Sequence, residues 1–342
     1  MREDLIIREK EIKKFTSEEN LADKARALLK HQTANWELAK NGYESLKGVK
    51  VKKIFLDKLQ PKVQFNPGRI KSSSAKVDKK SIAERPCFLC ADNLPADQKA
   101  LAYKNYLILV NPFPIFPEHF TIPKIDHVPQ LIQDNFEDML DLTMQLGKYY
   151  TLFYNGPKCG ASAPDHFHFQ AGLKSFMPLD DEYENLINSE GEIFFDSQKI
   201  KVAGVNYELG KFISFEASGK KEAVRWFNRF YDILQKVNSD KEEPMLNILS
   251  NFIEGKWRII FFPRMKHRPA QYFQEGQQNI LLSPASVDMG GVLITPLEKD
   301  FDKIDEEDVK DIFRQISIST EFYEFIKSKL TEAGGRKIDE ES

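Results

Sequence analysis

The stretch GASAPDHFHFQAG at residues 160–172 places His166, His168 and Gln170 at alternate positions, with Phe167 and Phe169 between them. In a β-strand, successive side chains point to opposite faces of the sheet. The pattern therefore predicts a strand with both phenylalanines in the core and the three polar side chains together on the other face. Two interpretations of that polar face stay open: it is simply solvated, or it carries the chemistry of a site.

The composition indicates a folded protein and gives no sign of a nucleic-acid or membrane partner. The chain has 342 residues, 41% hydrophobic and 12% aromatic, which is enough for two domains with a sizeable core. A net charge of −3 does not favour nucleic acid, and no apolar run approaches the roughly 20 residues of a membrane span. The start, MREDLIIREKEIKKF, lacks the apolar core of a secretion signal, so we expect a cytoplasmic protein.

Apolar spacing and turn residues divide the chain into helices and strands. Apolar residues three and four positions apart predict helices at 19–46, 135–150, 220–237 and within 305–332. Shorter apolar runs predict strands, including a hairpin that turns near Glu254 and Gly255. The strand segments are 49–59, 62–70, 100–123, 151–156, 166–173, 245–264 and 290–297.

Both halves of the chain combine several strands with one long helix. This shared order predicts an α+β fold of two related halves, each an antiparallel sheet with helices packed against it. We expect four segments along the chain. They are an N-terminal helix and strands at 1–80, a first half with the catalytic residues at 81–200, a second half at 201–332 and a flexible tail at 333–342.

Cys87 and Cys90 have the C-x-x-C spacing that points two sulfur atoms at one metal ion. A tetrahedral zinc site needs two more ligands, and the candidates are His119, His127 and one histidine of the 166/168 pair. A thioredoxin-like redox pair or two buried thiols would show the same spacing. Because no compact βαβ unit surrounds the cysteines, the sequence favours zinc.

Three stretches resemble the galactose-1-phosphate uridylyltransferase branch of the histidine-triad superfamily. They are CFLC at 87–90, YLILVNPFPIFPEHFTIP at 106–123 and FYNGPKCGASAPDHFHFQAG at 153–172. Within that branch the chain is most similar to GDP-L-galactose phosphorylase-like and diadenosine tetraphosphate phosphorylase-like enzymes. The resemblance covers roughly residues 60–330, and it implies that both halves are histidine-triad-like.

The resemblance implies specific roles for the residues of the polar face. The second histidine, His168, is the nucleophile in the family pattern. The first, His166, joins Cys87, Cys90 and His119 as ligands of a structural Zn²⁺, which leaves His127 without a role. Ser162 and Gln170 would act with His168, because their positions orient the nucleophile loop and bind phosphoryl oxygens.

A second group of residues is expected to bind the nucleotide. Asn111 and Phe113 fall where the family has an N-D-F element, although Pro112 replaces the middle aspartate. An arginine offers a fork of donors to phosphate, which makes Arg69 a candidate; a solvated loop charge is its alternative reading. The same two readings apply to Arg264, Lys266, His267 and Arg268. The expected nucleotide-binding residues are Asn111, Phe113, Asn155, Phe88 and Arg69.

The side chains suggest the type of reaction. A neutral imidazole attacks phosphorus if one ring nitrogen is free and the other is held by an acceptor. The Gln170 amide cannot supply a proton, but it can donate a hydrogen bond to a phosphoryl oxygen. The site therefore suits a leaving group that needs no acid, which favours a transferase or phosphorylase over a hydrolase.

We therefore expect a nucleotidyltransferase or nucleoside-diphosphate-sugar phosphorylase that forms a covalent nucleotidyl-histidine on His168. Its substrates would be a nucleotide sugar or dinucleotide together with phosphate or a sugar phosphate, and a homodimer is a further expectation. The alternative is a non-catalytic nucleotide-binding protein braced by zinc. A binding protein needs the pocket but not the nucleophile, so the presence of both His168 and Gln170 favours the enzyme.

Overall fold

The structure is a computed structural model that describes residues 4–70, 78–237 and 242–338, so the end of the predicted tail lies outside it. The helices of the described residues are α1 (Glu9–Ile12), α2 (Leu21–Asn35), α3 (Glu37–Ser45), α4 (Lys79–Ala83), α5 (Phe136–Leu146), α6 (Pro178–Glu190), α7 (Lys220–Val237), α8 (Ser286–Met289), α9 (Glu298–Lys303), α10 (Glu306–Ile316) and α11 (Thr320–Ile338). The strands are β1 (Lys50–Lys53), β2 (Lys62–Phe65), β3 (Ala100–Tyr103), β4 (Tyr106–Val110), β5 (His119–Pro123), β6 (Tyr150–Asn155), β7 (His168–Leu173), β8 (Gly191–Asp196), β9 (Ile200–Tyr207), β10 (Gly210–Ala217), β11 (Leu246–Ile253), β12 (Lys256–Pro263) and β13 (Val292–Thr295).

Ten strands form one continuous antiparallel sheet in the order β3-β4-β5-β7-β6-β11-β12-β10-β9-β8. The first five strands of this sheet and the last five follow the same plan. In each half, three strands precede a long helix (α5 or α7), and two more strands follow it. The two halves meet where β6 pairs with β11, with Asn155 opposite Asn247. The predicted α+β fold of two related antiparallel halves is confirmed.

Side-chain alternation gives the sheet two apolar faces. Phe167 and Phe169 point to the face that α2, α5, α7 and α11 cover, and both are fully buried there. Phe153 belongs to the core on the opposite face, which α6 and α10 cover. His168 and Gln170 line a pocket together with Phe153, so the polar side chains of β7 point away from the phenylalanines, as the period of two predicts.

A small second sheet brings the N-terminal segment to the C-terminal half. Strand β2 pairs antiparallel with β1 and parallel with β13, and Val63 lies opposite Leu293. Both of these residues are fully buried in the core that contains Phe153. The N-terminal strands therefore cover the same face of the large sheet that carries His168.

Two predicted helices are interrupted. The helix expected at 19–46 breaks at Trp36, whose backbone is extended (φ −130°, ψ 108°) and whose buried side chain lines the pocket. The helix expected within 305–332 is divided at Ser317, which forms a β-bridge with Arg264, and α11 then continues to Ile338. Tertiary contacts decide both breaks, because the apolar spacing continues through them.

The hairpin predicted at Glu254 and Gly255 is present between β11 and β12. Both turn residues have positive φ, +50° and +79°, which suits a two-residue turn between twisted antiparallel strands. None of the helices in the described residues combines the length and the apolar character that crossing a lipid bilayer would require.

Candidate active site

His168 is the first residue of β7 and is almost completely buried, with 3% of its surface exposed at the pocket. Its Nδ1 lies 2.8 Å from the carbonyl oxygen of His166. A carbonyl only accepts, so Nδ1 carries the proton and donates it, while Nε2 keeps its lone pair. Burial lowers the pKa of His168 to about 4, so the ring is neutral near pH 7.

Gln130 holds the backbone of His168 from both sides. Its Oε1 accepts the His168 N–H at 2.7 Å, and its Nε2 donates to the His168 carbonyl at 2.9 Å. The same Nε2 also donates to the carbonyl of Asn155 at 3.0 Å. Gln130 is fully buried, so the start of β7 and the end of β6 are fixed to one side chain.

The pocket beside His168 is a cavity of roughly 450 Å³ built from distant parts of the chain. Its lining includes Trp36 and Leu38 from the N-terminal segment and Ser283 and Asp288 from the C-terminal half. The structure brings eight of the predicted residues to this pocket. They are His168, Gln170, Ser162, Asn111, Phe113, Asn155, Phe88 and Arg69.

Two aromatic rings stand at the pocket with much of their surface exposed. Phe88 is 43% exposed and Phe113 is 39% exposed, although most large apolar side chains of this protein are buried. The guanidinium of Arg85 lies 4.9 Å from the centre of the Phe88 ring. Exposed aromatic faces next to polar groups can stack on a nucleobase.

The amide of Asn111 is largely used by its own loop. Its Oδ1 accepts the N–H of Phe113 at 2.9 Å, and its Nδ2 donates to Oγ1 of Thr121 at 3.2 Å. These bonds shape the turn that presents Phe113. Asn111 therefore supports the pocket wall more than it offers polar atoms to a ligand.

The second half of the chain fixes Asn155. Oδ1 of Asn155 accepts from Nδ2 of Asn247 (2.9 Å) and from the N–H of Ser286 (2.8 Å), while the Ser286 hydroxyl donates to the Tyr154 carbonyl at 2.5 Å. Two donors use both lone pairs of the Asn155 oxygen, so the Nδ2 of Asn155 is left for a ligand in the pocket. Nη1 of Arg264 continues the network by donating to Oδ1 of Asn247 at 2.7 Å.

The loop between β6 and β7 lies tightly against the C-terminal half. Gly160 has a φ of +95°, and a Cβ there would lie 2.5 Å from the Cβ of Ala285. A side chain is therefore excluded at this position by both conformation and space. The carbonyl of Ser162, in the same loop, accepts from Nη2 of Arg85 at 2.8 Å.

Among the residues that the structure describes, three arginines and one carboxylate line the pocket. Arg69 donates to the Phe113 carbonyl at 2.8 Å, and Arg268 donates through Nε to Oγ of Ser283 at 3.0 Å. Arg85 is the third. The carboxylate of Asp288 already accepts the backbone N–H groups of Ala285 and Ile294, so the pocket as a whole favours an anionic ligand.

The basic cluster at 264–268 separates in the structure. His267 and Arg268 line the pocket, and burial lowers the pKa of His267 to about 4, which keeps it neutral. Arg264 is buried in the network around Asn247, and Lys266 is exposed. Of the four candidates, the structure thus brings two to the pocket.

Cys87, Cys90, His127 and His166 converge a short distance from the pocket. Their ligand atoms all lie within 4.8 Å of one another, and a group of this kind can hold a metal ion. Nδ1 of His166 lies 3.3 Å from Sγ of Cys87 and 3.6 Å from Sγ of Cys90. Nδ1 of His127 lies 3.1 Å from Sγ of Cys90.

His119 does not join this cluster, so the expected ligand set is corrected: His127 stands where His119 was predicted. The His119 ring is fully buried on the pocket side of the sheet. Its Nδ1 accepts the N–H of Ile115 at 3.2 Å, and its Nε2 lies 3.0 Å from Oε1 of Gln170. Both ring nitrogens are therefore engaged away from the cysteines.

His166 has an acceptor at its second ring nitrogen. Its Nε2 lies 2.8 Å from the carbonyl oxygen of Lys124, which places the ring proton away from the cluster and leaves Nδ1 to bind a metal. Nε2 of His127 lies 3.6 Å from Oδ2 of Asp165, which is too long for a hydrogen bond. The donor set of two thiols and two imidazoles fits a soft or borderline divalent ion.

Some residues of the site are not apparent from the sequence. Gln130, Arg85 and Ser283 carry no motif, and their roles depend on contacts across long stretches of chain. His127 was a candidate by residue type alone. Sequence spacing alone could predict that Ser162, His166 and His168 lie close together, because they share one short loop and strand.

Two family models match the chain, one in each half. Residues 28–173 match a domain of unknown function (DUF4922), and residues 186–337 match a domain described as GDPGP1-like, C-terminal. No curated protein is similar enough to this chain to count as a match.

Solved structures of yeast Ap4A phosphorylase Apa2 share the fold. The complex with Ap4A aligns with a TM-score of 0.54 and 16% identity over 86% of this chain and 97% of that one. The complex with AMP aligns with a TM-score of 0.53 and 18% identity over 85% of this chain and 96% of that one. A third structure of the same enzyme aligns with a TM-score of 0.50 and 17% identity over 82% of this chain and 94% of that one. Residues 186–337 are thus similar to the GDPGP1-like C-terminal domain, and the chain shares its two-halved fold with yeast Ap4A phosphorylase Apa2.

Proposed function

We propose that this protein is a nucleotidyltransferase of the phosphorylase type that works through a covalent nucleotidyl group on His168. The observation that carries the proposal is the state of the His168 ring. Nδ1–H is held by the His166 carbonyl at 2.8 Å, so the lone pair of Nε2 is available beside an anion-favouring pocket. Burial lowers the pKa of this histidine, which keeps the lone pair free of a proton at neutral pH.

The first step forms one bond and breaks one bond. Nε2 of His168 attacks the α-phosphorus of the nucleotide, and the bond from that phosphorus to the bridging oxygen breaks. The bridging oxygen leaves with its electron pair as part of a phosphate ester or polyphosphate, which is stable as an anion. No proton donor is needed, which agrees with an amide rather than an acid at Gln170.

The second step reverses the first with a different partner. An oxygen of inorganic phosphate or of a sugar phosphate attacks the same phosphorus, and the bond to Nε2 breaks. The histidine regains its lone pair, and the product is a nucleoside diphosphate or a nucleotide sugar. Two displacements on one histidine predict ping-pong kinetics.

The charges around the pocket support a substrate with several phosphates. Arg69, Arg85 and Arg268 line the cavity, and the one carboxylate that the described part of the chain contributes to it, Asp288, accepts backbone N–H groups. Yeast Ap4A phosphorylase, which shares the fold, was solved with AMP and with Ap4A. We therefore favour a dinucleoside polyphosphate or a nucleotide sugar as donor. Phe88 and Phe113 would stack on the base.

We further propose that Cys87, Cys90, His127 and His166 bind a structural Zn²⁺. Zinc bonds of about 2.3 Å to sulfur and about 2.0–2.1 Å to nitrogen separate tetrahedral ligand atoms by roughly 3.4–3.8 Å. The Sγ to Nδ1 distances of 3.1, 3.3 and 3.6 Å are close to this range. Four protein ligands complete a tetrahedron, so the ion would supply rigidity to the residues before β7.

The test is phosphorolysis by the purified protein. Ap4A and a panel of UDP-, GDP- and ADP-sugars are incubated with inorganic phosphate, and nucleoside diphosphate formation is followed by chromatography. We expect a nucleoside diphosphate from at least one donor, with parallel double-reciprocal plots that indicate a ping-pong mechanism. A protein that binds these nucleotides but never turns them over would instead be the non-catalytic binding protein.

A further inference from the structure

We propose that His119 is a positioning residue for the Gln170 amide: its imidazole fixes which end of that amide faces the substrate. The inference rests on the proposed nucleotidyl transfer, because it assigns Gln170 as a donor to phosphoryl oxygen. It gives His119 a role in the reaction that does not involve a metal.

The hydrogen bonds around the His119 ring define its tautomer. The N–H of Ile115 donates to Nδ1 at 3.2 Å, so Nδ1 carries a lone pair and the proton of a neutral ring is on Nε2. That Nε2–H lies 3.0 Å from Oε1 of Gln170 and donates to it. The opposite amide orientation would bring the NH₂ group against the ring N–H, which leaves two donors facing each other.

The ring has little freedom to leave this arrangement. His119 is fully buried, and burial together with the charge of Arg69 lowers its pKa to about 3, so the ring stays neutral. The hydroxyl of Tyr43 accepts the backbone N–H of His119 at 3.2 Å and donates to its carbonyl at 2.9 Å. The Phe116 ring lies edge-on to the imidazole, 5.2 Å from its centre.

The consequence for the pocket is a fixed pair of donors. With Oε1 bound to His119, the two Nε2 hydrogens of Gln170 remain for the pocket that Gln170 shares with His168. Gln170 and His168 are two residues apart on one strand, so their side chains share one face. A donor aimed at developing phosphoryl charge stabilises the transition state, whereas an amide oxygen there would repel it.

The experiment is a double-mutant cycle. His119→Phe keeps a ring of similar size but removes both nitrogens, His119→Gln keeps an amide that can donate, and both are combined with Gln170→Ala. The readouts are the single-turnover rate of adduct formation at saturating Ap4A, the Kd for AMP, the melting temperature and the bound zinc per chain. At a saturating Ap4A concentration every site is filled, so the observed rate reports the chemical step and not substrate binding.

We expect His119→Phe to slow adduct formation by about 10–100-fold when Gln170 is present and by less than about 3-fold in the Gln170→Ala background. His119→Gln should recover most of the rate, the AMP Kd should change by less than about 3-fold, and zinc content should not change. Equal slowing in both Gln170 backgrounds would contradict the proposal, because His119 would then act independently of the amide. Loss of zinc in His119→Gln would contradict it as well.

A measurement on the wild-type protein keeps the proposal testable if His119→Phe does not fold. Long-range ¹H–¹⁵N NMR distinguishes the two neutral tautomers and the imidazolium, and the His119→Gln spectrum assigns the resonance. We expect the Nε2–H tautomer throughout pH 6–8. The Nδ1–H tautomer or an imidazolium would overturn the proposal. Absence of an adduct in the wild-type protein with Ap4A and with every nucleotide sugar of the panel would instead overturn the proposed function, while the tautomer would still report on the hydrogen bond.

Discussion

The carbonyl oxygen of His166 accepts the Nδ1–H of His168 at 2.8 Å, while the ring of His166 faces the cysteines. One residue thus contributes to two places: its side chain belongs to the cysteine–histidine cluster and its backbone holds the His168 ring. Any ion that fixes the His166 ring would also fix the carbonyl that orients His168. A shift of the cysteine–histidine cluster would therefore also move the His168 ring, because His166 contacts both.

The first prediction concerns the metal ligands. His127→Ala should lose bound zinc and lower the melting temperature, because the ion couples the cysteine loop to the residues before β7. His119→Gln is the matched control, since His119 suits a metal equally well by residue type but contacts Gln170 instead of the cysteines. Zinc per chain is measured by elemental analysis after gel filtration. Full zinc content in His127→Ala, or loss of zinc in His119→Gln, would contradict the corrected ligand set.

The second prediction concerns Gln130. Gln130→Ala removes the side chain that bonds the N–H and C=O of His168 and the C=O of Asn155, and it leaves these buried groups without that partner. Such losses cost about 1–3 kcal/mol each at most, so we expect lower stability together with slower adduct formation. Gln133 is exposed, so Gln133→Ala serves as the control and should change neither the stability nor the rate of adduct formation. Wild-type rates in folded Gln130→Ala would show that His168 does not need this support.

The third prediction is a pH dependence of stability. Burial raises the pKa of Glu243 to about 8, and this carboxyl contacts the Tyr154 hydroxyl and the Ile132 N–H, each at 2.5 Å. The folded state therefore holds a proton that the unfolded chain releases near pH 4.5. The protonated Glu243 carboxyl therefore contributes its full stabilisation below about pH 4.5, and this contribution is lost as the pH rises through about 8.

Glu243→Gln tests this dependence because its amide resembles the protonated acid. The NH₂ group can donate to Tyr154, whose hydroxyl donates to the Gln130 carbonyl at 3.1 Å, and the amide oxygen can accept from Ile132. We expect the variant to gain stability relative to wild type as the pH rises from 5 to 8. Chemical denaturation at several pH values measures the difference. Parallel stability curves for the two proteins would rule out a proton on Glu243.

The fourth prediction concerns recognition of phosphate. Arg268 lines the pocket and donates to Ser283, whereas Lys266, two residues earlier, is exposed. Arg268→Ala should weaken binding of Ap4A by about 10-fold or more, since a hydrogen bond to a charged group contributes about 1.5–3 kcal/mol. Lys266→Ala should leave binding within about 2-fold, as expected of an exposed charge. Equal effects of the two variants in calorimetric titrations would indicate general charge attraction rather than a pocket contact.

The sequence predicted the parts of the site that depend on local spacing. The alternation in residues 166–170 places the phenylalanines on one face and His168 and Gln170 on the other, and the structure has this arrangement. The C-x-x-C pair likewise predicted that both cysteines lie beside histidines, and the structure has such a cluster, which could hold a metal ion. In each of these cases, a strand period or a short turn determines the geometry without reference to the rest of the chain.

Contacts between distant segments could not be predicted in the same way. His119 and His127 are eight residues apart, and both suit a metal by residue type, but β5 carries His119 into the sheet beside Gln170 while His127 follows the strand and reaches Cys90. The break at Trp36 and the pairing of β2 with β13 also depend on packing against the completed sheet. Gln130 has no motif, because its role is defined only by the two strands it joins.

Intact-mass spectrometry detects directly whether Nε2 of His168 accepts a nucleotidyl group. Wild-type protein, His168→Ala and Gln170→Ala are mixed with Ap4A without phosphate and quenched in alkali, which preserves a phosphoramidate. We expect a mass increase of one adenylyl group in wild type, the same increase formed more slowly in Gln170→Ala, and none in His168→Ala. The adduct should disappear when phosphate is added. An adenylyl adduct on folded His168→Ala, or turnover by that variant at the wild-type rate, would show that His168 is not the nucleophile.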